Sequence, residues 1–323
     1  MSKPLVSVVT ITYNQQHLLK NAIESVLSQQ GNLIKEYIIA DDFSTDGTIK
    51  IIEEYYHKNP KLIKPVFRNN NLGALANFYD ALLKCEGKYI AFLAGDDYWI
   101  DPLKIKKQVS FLEMNPDCTI YGTNVVKKYL ITNKDCLTNQ VSGIIELKPP
   151  DFFLGGALNL IGALIRREQV DQLPDIYYGE DTQLSMFLAH KGKCIIDTNS
   201  VSAVYRISEN GLAHRLKSNK EKINDLICKM KKNIEWNEYF NNEYSAELET
   251  ANTKIIKKII MRALKSLDFR TALIFLYSLN PNSFESSYLK RLVNIFRYPL
   301  NFFDQKLTRK YIERLKLAVE EKY

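Results

Sequence analysis

The chain has 323 residues, 46% of them hydrophobic and 25% charged. That balance excludes a disordered, collagen-like or small disulfide-stapled chain and leaves room for one large α/β domain with an appendage. The net charge of +7 is unevenly placed, with 21 basic and 13 acidic residues from Leu216 onward against 23 and 24 before it, so the excess belongs to the C-terminal third. Five scattered cysteines (Cys85, Cys118, Cys136, Cys194, Cys228), none in a C-x-x-C pair, point to reduced thiols in a cytosolic protein. Only Met1 to Pro4 precede the first apolar run, without the charged and apolar segments of a secretory signal, and no stretch approaches the ~20 apolar residues of a membrane span.

Strands and helices alternate through the first part. Val6-Ser7-Val8-Val9-Thr10-Ile11-Thr12 reads as a buried β-branched strand broken by Tyr13-Asn14. Leu18, Leu19, Ala22, Ile23, Val26 and Leu27 then recur at helical spacing. A strand over 37–40 leads to the loop Asp41 to Gly47 and a helix carrying Ile49, Ile52 and Tyr55. A short strand near Pro65-Val66-Phe67 precedes the turn Asn69 to Gly73, a helix running to Lys84, and the strand 89–93. This β-α-β-α order predicts a Rossmann-like, mostly parallel sheet covered by helices on both faces. Further along, the pattern predicts a helix over 102–115, strands near 118–126 and 143–147, a Gly-rich stretch over 152–162, a helix over 184–189 and a strand pair over 194–205. From about residue 216 the pattern is almost entirely helical, which divides the chain into domains 1–215 and 216–323.

In such sheets ligands bind beyond the carboxyl ends of the strands. The polar residues there are Tyr13-Asn14, Asp41-Asp42, Asn71 to Gly73 and Asp96-Asp97, and all should converge on one edge. Carboxylates gathered in one place repel, and a divalent cation with an anionic substrate relieves that repulsion. Two neighbouring carboxylates such as Asp96 and Asp97 can hold Mg²⁺ or Mn²⁺, which also takes diphosphate oxygens. Helix capping is the competing role for Asp42, for Asp96-Asp97 before Asp101-Pro102, and for Glu180-Asp181 before the next helix.

The order of these motifs resembles glycosyltransferase family 2, of the GT-A fold and the type that builds bacterial surface polysaccharides. The resembling segments are Val6 to Asn14, Ser25 to Gln30, Ile39 to Thr48, Asn71-Leu72-Gly73, Phe92 to Trp99 and Gly179-Glu180-Asp181, within residues 5–206. The resemblance implies that Thr12, Tyr13 and Asn14 line a nucleobase pocket, that Asp42 contacts base or ribose, and that Asn71 and Gly73 border the nucleotide. It implies Asp97 as the first metal ligand, Asp96 as a second ligand nearer the ribose or sugar, and Asp181 as the general base of an inverting transfer. Trp99, Glu180, Arg206 and His214 are the expected acceptor or phosphate contacts, with His214 also a candidate to complete the metal site.

Two departures stand out: Ile11 where the family usually has proline, and Ala94 where many members carry a further aspartate. The Gln-x-x-Arg-Trp motif of processive members is missing after Asp181, which favours transfer of one sugar per encounter. The implied function is an inverting, metal-dependent transfer from a nucleotide-sugar, UDP-type donor to a glycan or polyprenyl-diphosphate-linked acceptor. A non-catalytic nucleotide-sugar or glycan-binding protein is the alternative. The absence of glycine in Thr12 to Gln16 argues against a sugar nucleotidyltransferase and a dinucleotide-dependent dehydrogenase.

Outside the resemblance, Lys257, Lys258, Arg262 and Lys265 interleave with Ile255, Ile256, Ile259, Ile260 and Leu264, followed by aromatics from Phe275 to Phe303. Such a segment suits peripheral contact with an anionic membrane from the cytoplasmic side, and equally a cap on the catalytic domain or on a second subunit. Its charge follows no nucleic-acid recognition motif, so no nucleic-acid partner is expected.

Overall fold

The computed structural model describes residues 5–130, 132, 134–154, 158–177, 179–207, 218–266, 268, 271–272 and 275. They fall into two compact units, one within 1–215 together with Glu235–Tyr244, the other formed from 216–234 and from residue 245 onward.

The first unit is built on ten strands: β1 (Val6–Thr12), β2 (Ile34–Asp41), β3 (Ile63–Phe67), β4 (Tyr89–Ala94), β5 (Tyr98–Trp99), β6 (Cys118–Tyr129), β7 (Lys134–Leu137), β8 (Ile144–Leu147), β9 (Ala163–Arg166) and β10 (Lys193–Ile207). Helices α1 (Leu19–Leu27), α2 (Thr48–Lys58), α3 (Ala74–Leu83), α4 (Lys104–Met114), α5 (Arg167–Val170) and α6 (Asp181–Lys191) connect them. The sheet runs β3-β2-β1-β4-β9-β6-β10-β5, with β7 added to β6 and β8 to β10. β3, β2, β1 and β4 pair in parallel with one another, and β9 is antiparallel to both β4 and β6. The order turns back between β1 and β4, which is where an open α/β sheet leaves a crevice at its carboxyl edge.

The local chemistry explains these elements. β1 is almost wholly buried, and its polar residues are satisfied inside: Ser7 Oγ donates to Glu36 Oε1 at 2.6 Å and Thr10 Oγ1 pairs with Tyr37 Oη at 2.9 Å. In α1 the buried residues Leu19, Ala22, Ile23 and Val26 follow one helical face and pack on Val8, Ile39 and Leu93 of the sheet. Each such fully buried aliphatic side chain contributes about 1.5–3 kcal/mol.

The strand pair expected over 194–205 is instead one continuous strand, β10. Its register against β6 shifts at Asp197/Val201 and Val201/Ala203, and these bulges carry the polar run Asn199-Ser200 through the strand without breaking it. The alternating burial from Cys194 to Thr198 keeps the period of a strand. That continuity matters, because the far end of β10 carries Tyr205 and Arg206 back to the carboxyl edge.

Two later helices are described, α7 (Asn219–Tyr239) and α8 (Ser245–Lys265). The part of this region that belongs to the first unit packs on α6: the Phe187 ring lies 6.2 Å from Trp236 and 6.4 Å from Tyr239, and His190 stacks on Phe240 at 4.2 Å. In the second unit Ile255, Ile259 and Ala263 of α8 form a buried cluster with Ile223 and Ala272. The apolar face of α8 is therefore used inside its own unit. Among the described residues no helix is long and apolar enough to cross a membrane.

Candidate active site

The four polar clusters meet at the carboxyl edge, tied to one another by hydrogen bonds. The loop after β1 is fixed to the loop after β2 by Asn14 N donating to Ser44 Oγ (2.9 Å) and Thr45 N donating to Asn14 Oδ1 (2.8 Å). Asp42 reaches the third cluster, its two carboxylate oxygens accepting Leu72 N at 2.7 Å and Gly73 N at 2.9 Å, while Asn71 Nδ2 donates to Asp42 O. Asp42 is 3% exposed, so its carboxylate shapes the Asn71–Gly73 turn. Capping of α2 falls to Asp46, which accepts Thr48 N at 2.9 Å. Asp41 is buried behind the edge and takes the backbone and hydroxyl hydrogens of Ser44; burial nonetheless lifts its carboxyl above the usual range.

Asp96 and Asp97 follow β4, and neither caps the next helix: Asp101 Oδ1 accepts Leu103 N at 2.9 Å ahead of α4. Asp97 is 1% exposed. Its Oδ1 accepts Arg206 N at 2.8 Å, whereas its Oδ2 is buried with no hydrogen-bond partner among the described residues. Burial first, and the Asp96 charge second, push the Asp97 carboxyl well above the ordinary carboxylate range, with Arg206 opposing them. The Arg206 guanidinium donates to the carbonyls of Asp96 and of Leu18 and lies 5.0 Å over the Tyr98 ring. It thus braces the acidic loop against α1, a role set by the reach of β10.

Gln15 was not among the residues singled out from the sequence. Its side-chain Oε1 accepts Thr12 Oγ1 at 2.8 Å, and the same side chain favours the ionised Asp96 carboxyl against the burial that raises it. Gly95 permits this approach, since a Cβ there would collide with Gln15 Oε1. The signal available in the sequence was only a glutamine three residues past the first strand's end.

Asp181 opens α6. Its Oδ1 accepts Thr182 N at 2.7 Å, and Glu180 occupies the preceding cap position without a capping side-chain bond. Solvent reaches Asp181, yet protein walls crowd it, and that desolvation raises its carboxyl in spite of the Thr182 bonds. Gly179 lies so close to Leu75 that a Cβ would collide with the Leu75 carbonyl, and its φ of +88° suits glycine. This contact sets the start of α6 beside the start of α3, near Gly73. Tyr205 on β10 connects the two acidic groups: burial and the charges of Asp97, Asp96 and Asp181 together push its hydroxyl up to about 12. Thr12, Tyr13, Asn14, Asp42, Asn71, Gly73, Asp96, Asp97, Asp181 and Arg206 are thus placed along one edge.

Trp99 is not brought to the surface of this edge. It is 4% exposed, its Nε1 donates to Ile161 O at 2.9 Å and its ring faces the Lys104 ammonium at 4.6 Å, which is packing under the edge. His214 lies outside the described residues.

The residues fit a divalent cation. A buried carboxylate oxygen without a partner, next to a second carboxylate, is an arrangement that a hard cation completes. Among the described residues no group of three or more His, Cys, Asp and Glu side chains is assembled for a metal, so Asp97 and Asp96 would leave the remaining positions to diphosphate and water.

The model of the glycosyl transferase family 2 domain matches residues 7–153. An uncharacterized protein of Mycobacterium tuberculosis is 33% identical over 217 residues, which is 67% of this chain but 62% of the relative, so the chain spans about three-fifths of that protein's length. WfaP of Escherichia coli, a UDP-Glc:α-D-GlcNAc-diphosphoundecaprenol β-1,3-glucosyltransferase, is 30% identical over 210 residues, covering 63% of this chain and 77% of WfaP. The crystal structure of S. aureus TarS 1–349 with UDP-GlcNAc shares the fold at a TM-score of 0.63 and 16% identity, over 91% of this chain and 87% of TarS. Edge geometry, sheet order and relatives agree, and the chain belongs to glycosyltransferase family 2.

Proposed function

We propose that this chain moves one sugar from a nucleotide-sugar, UDP-type donor to a glycan or lipid-linked glycan acceptor in surface polysaccharide biosynthesis, with inversion and with the help of a divalent cation. The observation that carries the reading is the unpartnered Asp97 Oδ2 beside Asp96, on the same edge as Asp181. WfaP, by its name, uses UDP-Glc and a diphosphoundecaprenol-linked acceptor, which supports a donor and acceptor of that kind.

In this reading the nucleotide lies over the loops after β1 and β2, and Asp97 and Asp96 hold a Mn²⁺ or Mg²⁺ ion. When bound, the cation supplies charge neutralisation for the departing diphosphate. Asp181 Oδ2 accepts the proton of the acceptor hydroxyl as that oxygen attacks the anomeric carbon from the face opposite the diphosphate. Raising the carboxyl's pKa makes its carboxylate a stronger proton acceptor. Arg206 holds the Asp96 carbonyl and the Asp97 carboxylate in place from β10.

We also assign residues 1–215 as the catalytic domain and 216–323 as the basic helical one, and place peripheral membrane contact, if the acceptor is lipid-linked, on the basic residues of α8, whose apolar face is occupied within its unit. The test of the central reading is thermal unfolding of the full chain with UDP, GDP and their sugars, each with Mn²⁺ and with EDTA. A rise in unfolding temperature that needs both UDP and Mn²⁺ is expected. No shift with any nucleotide would favour a non-catalytic glycan-binding protein.

A further inference from the structure

Lys104 opens α4 and is 1% exposed. Among the described residues its ammonium is met by neutral groups: Nζ donates to Gln108 Oε1 at 2.7 Å and to Ala163 O at 3.3 Å, and it lies over the Trp99 ring, 4.6 Å from the centre. A buried charge held by neutral groups costs stability, and folds keep such a feature where position matters.

Three consecutive carbonyls take side-chain donors from this cluster. Trp99 Nε1 donates to Ile161 O at 2.9 Å, Gln108 Nε2 to Gly162 O at 2.8 Å, and Lys104 Nζ to Ala163 O. Gly162 is pressed so close to β6 that a Cβ would stand 2.8 Å from Thr123 O. β9 runs antiparallel to β4 with Leu164 opposite Ala91, so these carbonyls lie toward the carboxyl end of β4, from which the Asp96-Asp97 loop extends. Trp99 ties that loop down on two further sides. Its N donates to Ser25 Oγ of α1 at 3.1 Å, and it pairs with Ala203 of β10, three residues before the Arg206 whose N–H holds Asp97. The indole is therefore the joint between the acidic loop, α1, β9 and β10. The ammonium fixes the face of the ring, which no hydrogen bond to Nε1 can fix.

We propose that Lys104 is a positioning residue of the transfer reaction, acting through the Trp99 ring to hold the Asp96-Asp97 loop where it meets the cation and the diphosphate. The proposal rests on the donor-site reading. Burial drives the Lys104 pKa down to about 7 against the pull of Asp101, and among the described residues β5, β6 and β9 bring no other charge to bear on it. Asp101 is itself paired with Lys107 at 2.7 Å, and the nearby Tyr121 hydroxyl is pushed up to about 12. The ammonium is thus present below neutrality and lost above it, and its hold on Trp99 weakens across that range.

Calorimetric titration of the full chain with UDP and Mn²⁺, at about pH 6 and about pH 8, tests this. Lys104→Met should bind about fivefold more weakly than the wild type at the lower pH, the worth of one desolvated cation–π contact. At the higher pH the gap should close, because the wild-type lysine is then neutral as well. Comparing the two proteins at each pH cancels the titration of the site's carboxylates, which both share. Lys104→Gln keeps a donor for Ala163 O, serves where the methionine variant does not fold, and should show the same gap. Equal affinities at both pH values, or a gap of one size at both, overturns the proposal while the donor site stands. Failure of both variants to fold would make Lys104 a core residue and likewise overturn it. A wild type that binds no nucleotide overturns both readings.

Discussion

Two carboxylates buried at opposite ends of the sheet, Glu36 and Asp97, are treated in opposite ways. Glu36, near the start of β2, is 1% exposed and fully provided for: Ser7 Oγ and Glu86 N donate to Oε1 at 2.6 and 2.7 Å, and the Lys64 ammonium pairs with Oε2. Burial acts to raise its pKa, but Lys64, Ser7 and the Glu86 amide outweigh it and hold the carboxyl below its ordinary 4.5. Asp97, just past the end of β4, is equally buried, yet it has one unpartnered oxygen, a like-charged neighbour and a pKa pushed up. A buried charge that the fold satisfies holds the fold together. One that it leaves unsatisfied costs stability and has a ligand to meet.

The largest effect should come where chemistry is assigned. Asp181→Asn removes the proton acceptor and keeps the shape, so transfer should drop by roughly 10²–10⁴-fold while calorimetric affinity for the nucleotide sugar stays unchanged. Substantial residual turnover would take the base role from Asp181.

Asp97→Asn should split binding from stability. The amide still accepts Arg206 N, but Mn²⁺-dependent UDP affinity should fall by at least roughly tenfold, about 1.4 kcal/mol. Without metal or nucleotide the variant should unfold at a temperature higher by about 2–4 °C, on the order of 1 kcal/mol, at neutral pH. The sign follows from the raised pKa: the folded state disfavours the ionised form, so the charge costs stability above the ordinary carboxylate pKa, and neutralising it returns that stability. A metal-free variant less stable than the wild type would show that Asp97 belongs with Glu36 as a structural group.

How much of this was legible before the coordinates depended on the range of the interaction. β1, β2 and β4 announce themselves because buried parallel strands need unbroken β-branched runs, and the edge residues follow once strand ends are known. The single strand β10 was read as two, because its bulges admit polar residues that look like a turn. Arg206 was visible only as a candidate ligand; that its backbone N–H holds Asp97 and its guanidinium holds two carbonyls depends on contacts across 109 and more residues of sequence. Gln15 and the burial of Trp99 are likewise products of packing. Glu36 gave no signal at all, since its partners Ser7, Lys64 and Glu86 are scattered and individually unremarkable.

At the satisfied end, Glu36→Gln should destabilise the chain by about 1–3 kcal/mol at pH 7, the cost of poorly matched buried polar groups, without altering nucleotide affinity. Because the folded pKa is depressed, Glu36's contribution is complete above 4.5 and fades as pH falls below it. Urea denaturation of wild type and variant should therefore converge as the pH is lowered past that value, and a gap independent of pH would mean that shape and not charge is being lost.

Lys64→Met should have the smallest effect, and it separates the two ways Glu36 is held. The Lys64 ammonium is half in water, 49% exposed, so solvent screening limits the pair to about 0.5–1 kcal/mol. The fixed donors Ser7 Oγ and Glu86 N remain and keep the carboxylate hydrogen-bonded inside the sheet. If Lys64→Met costs as much as Glu36→Gln in the same urea titration, the lone ammonium is what satisfies Glu36. The contrast with Asp97, which has Arg206 nearby and still an unpartnered oxygen, would then lie in one direct ion pair instead of in the number of donors the backbone supplies.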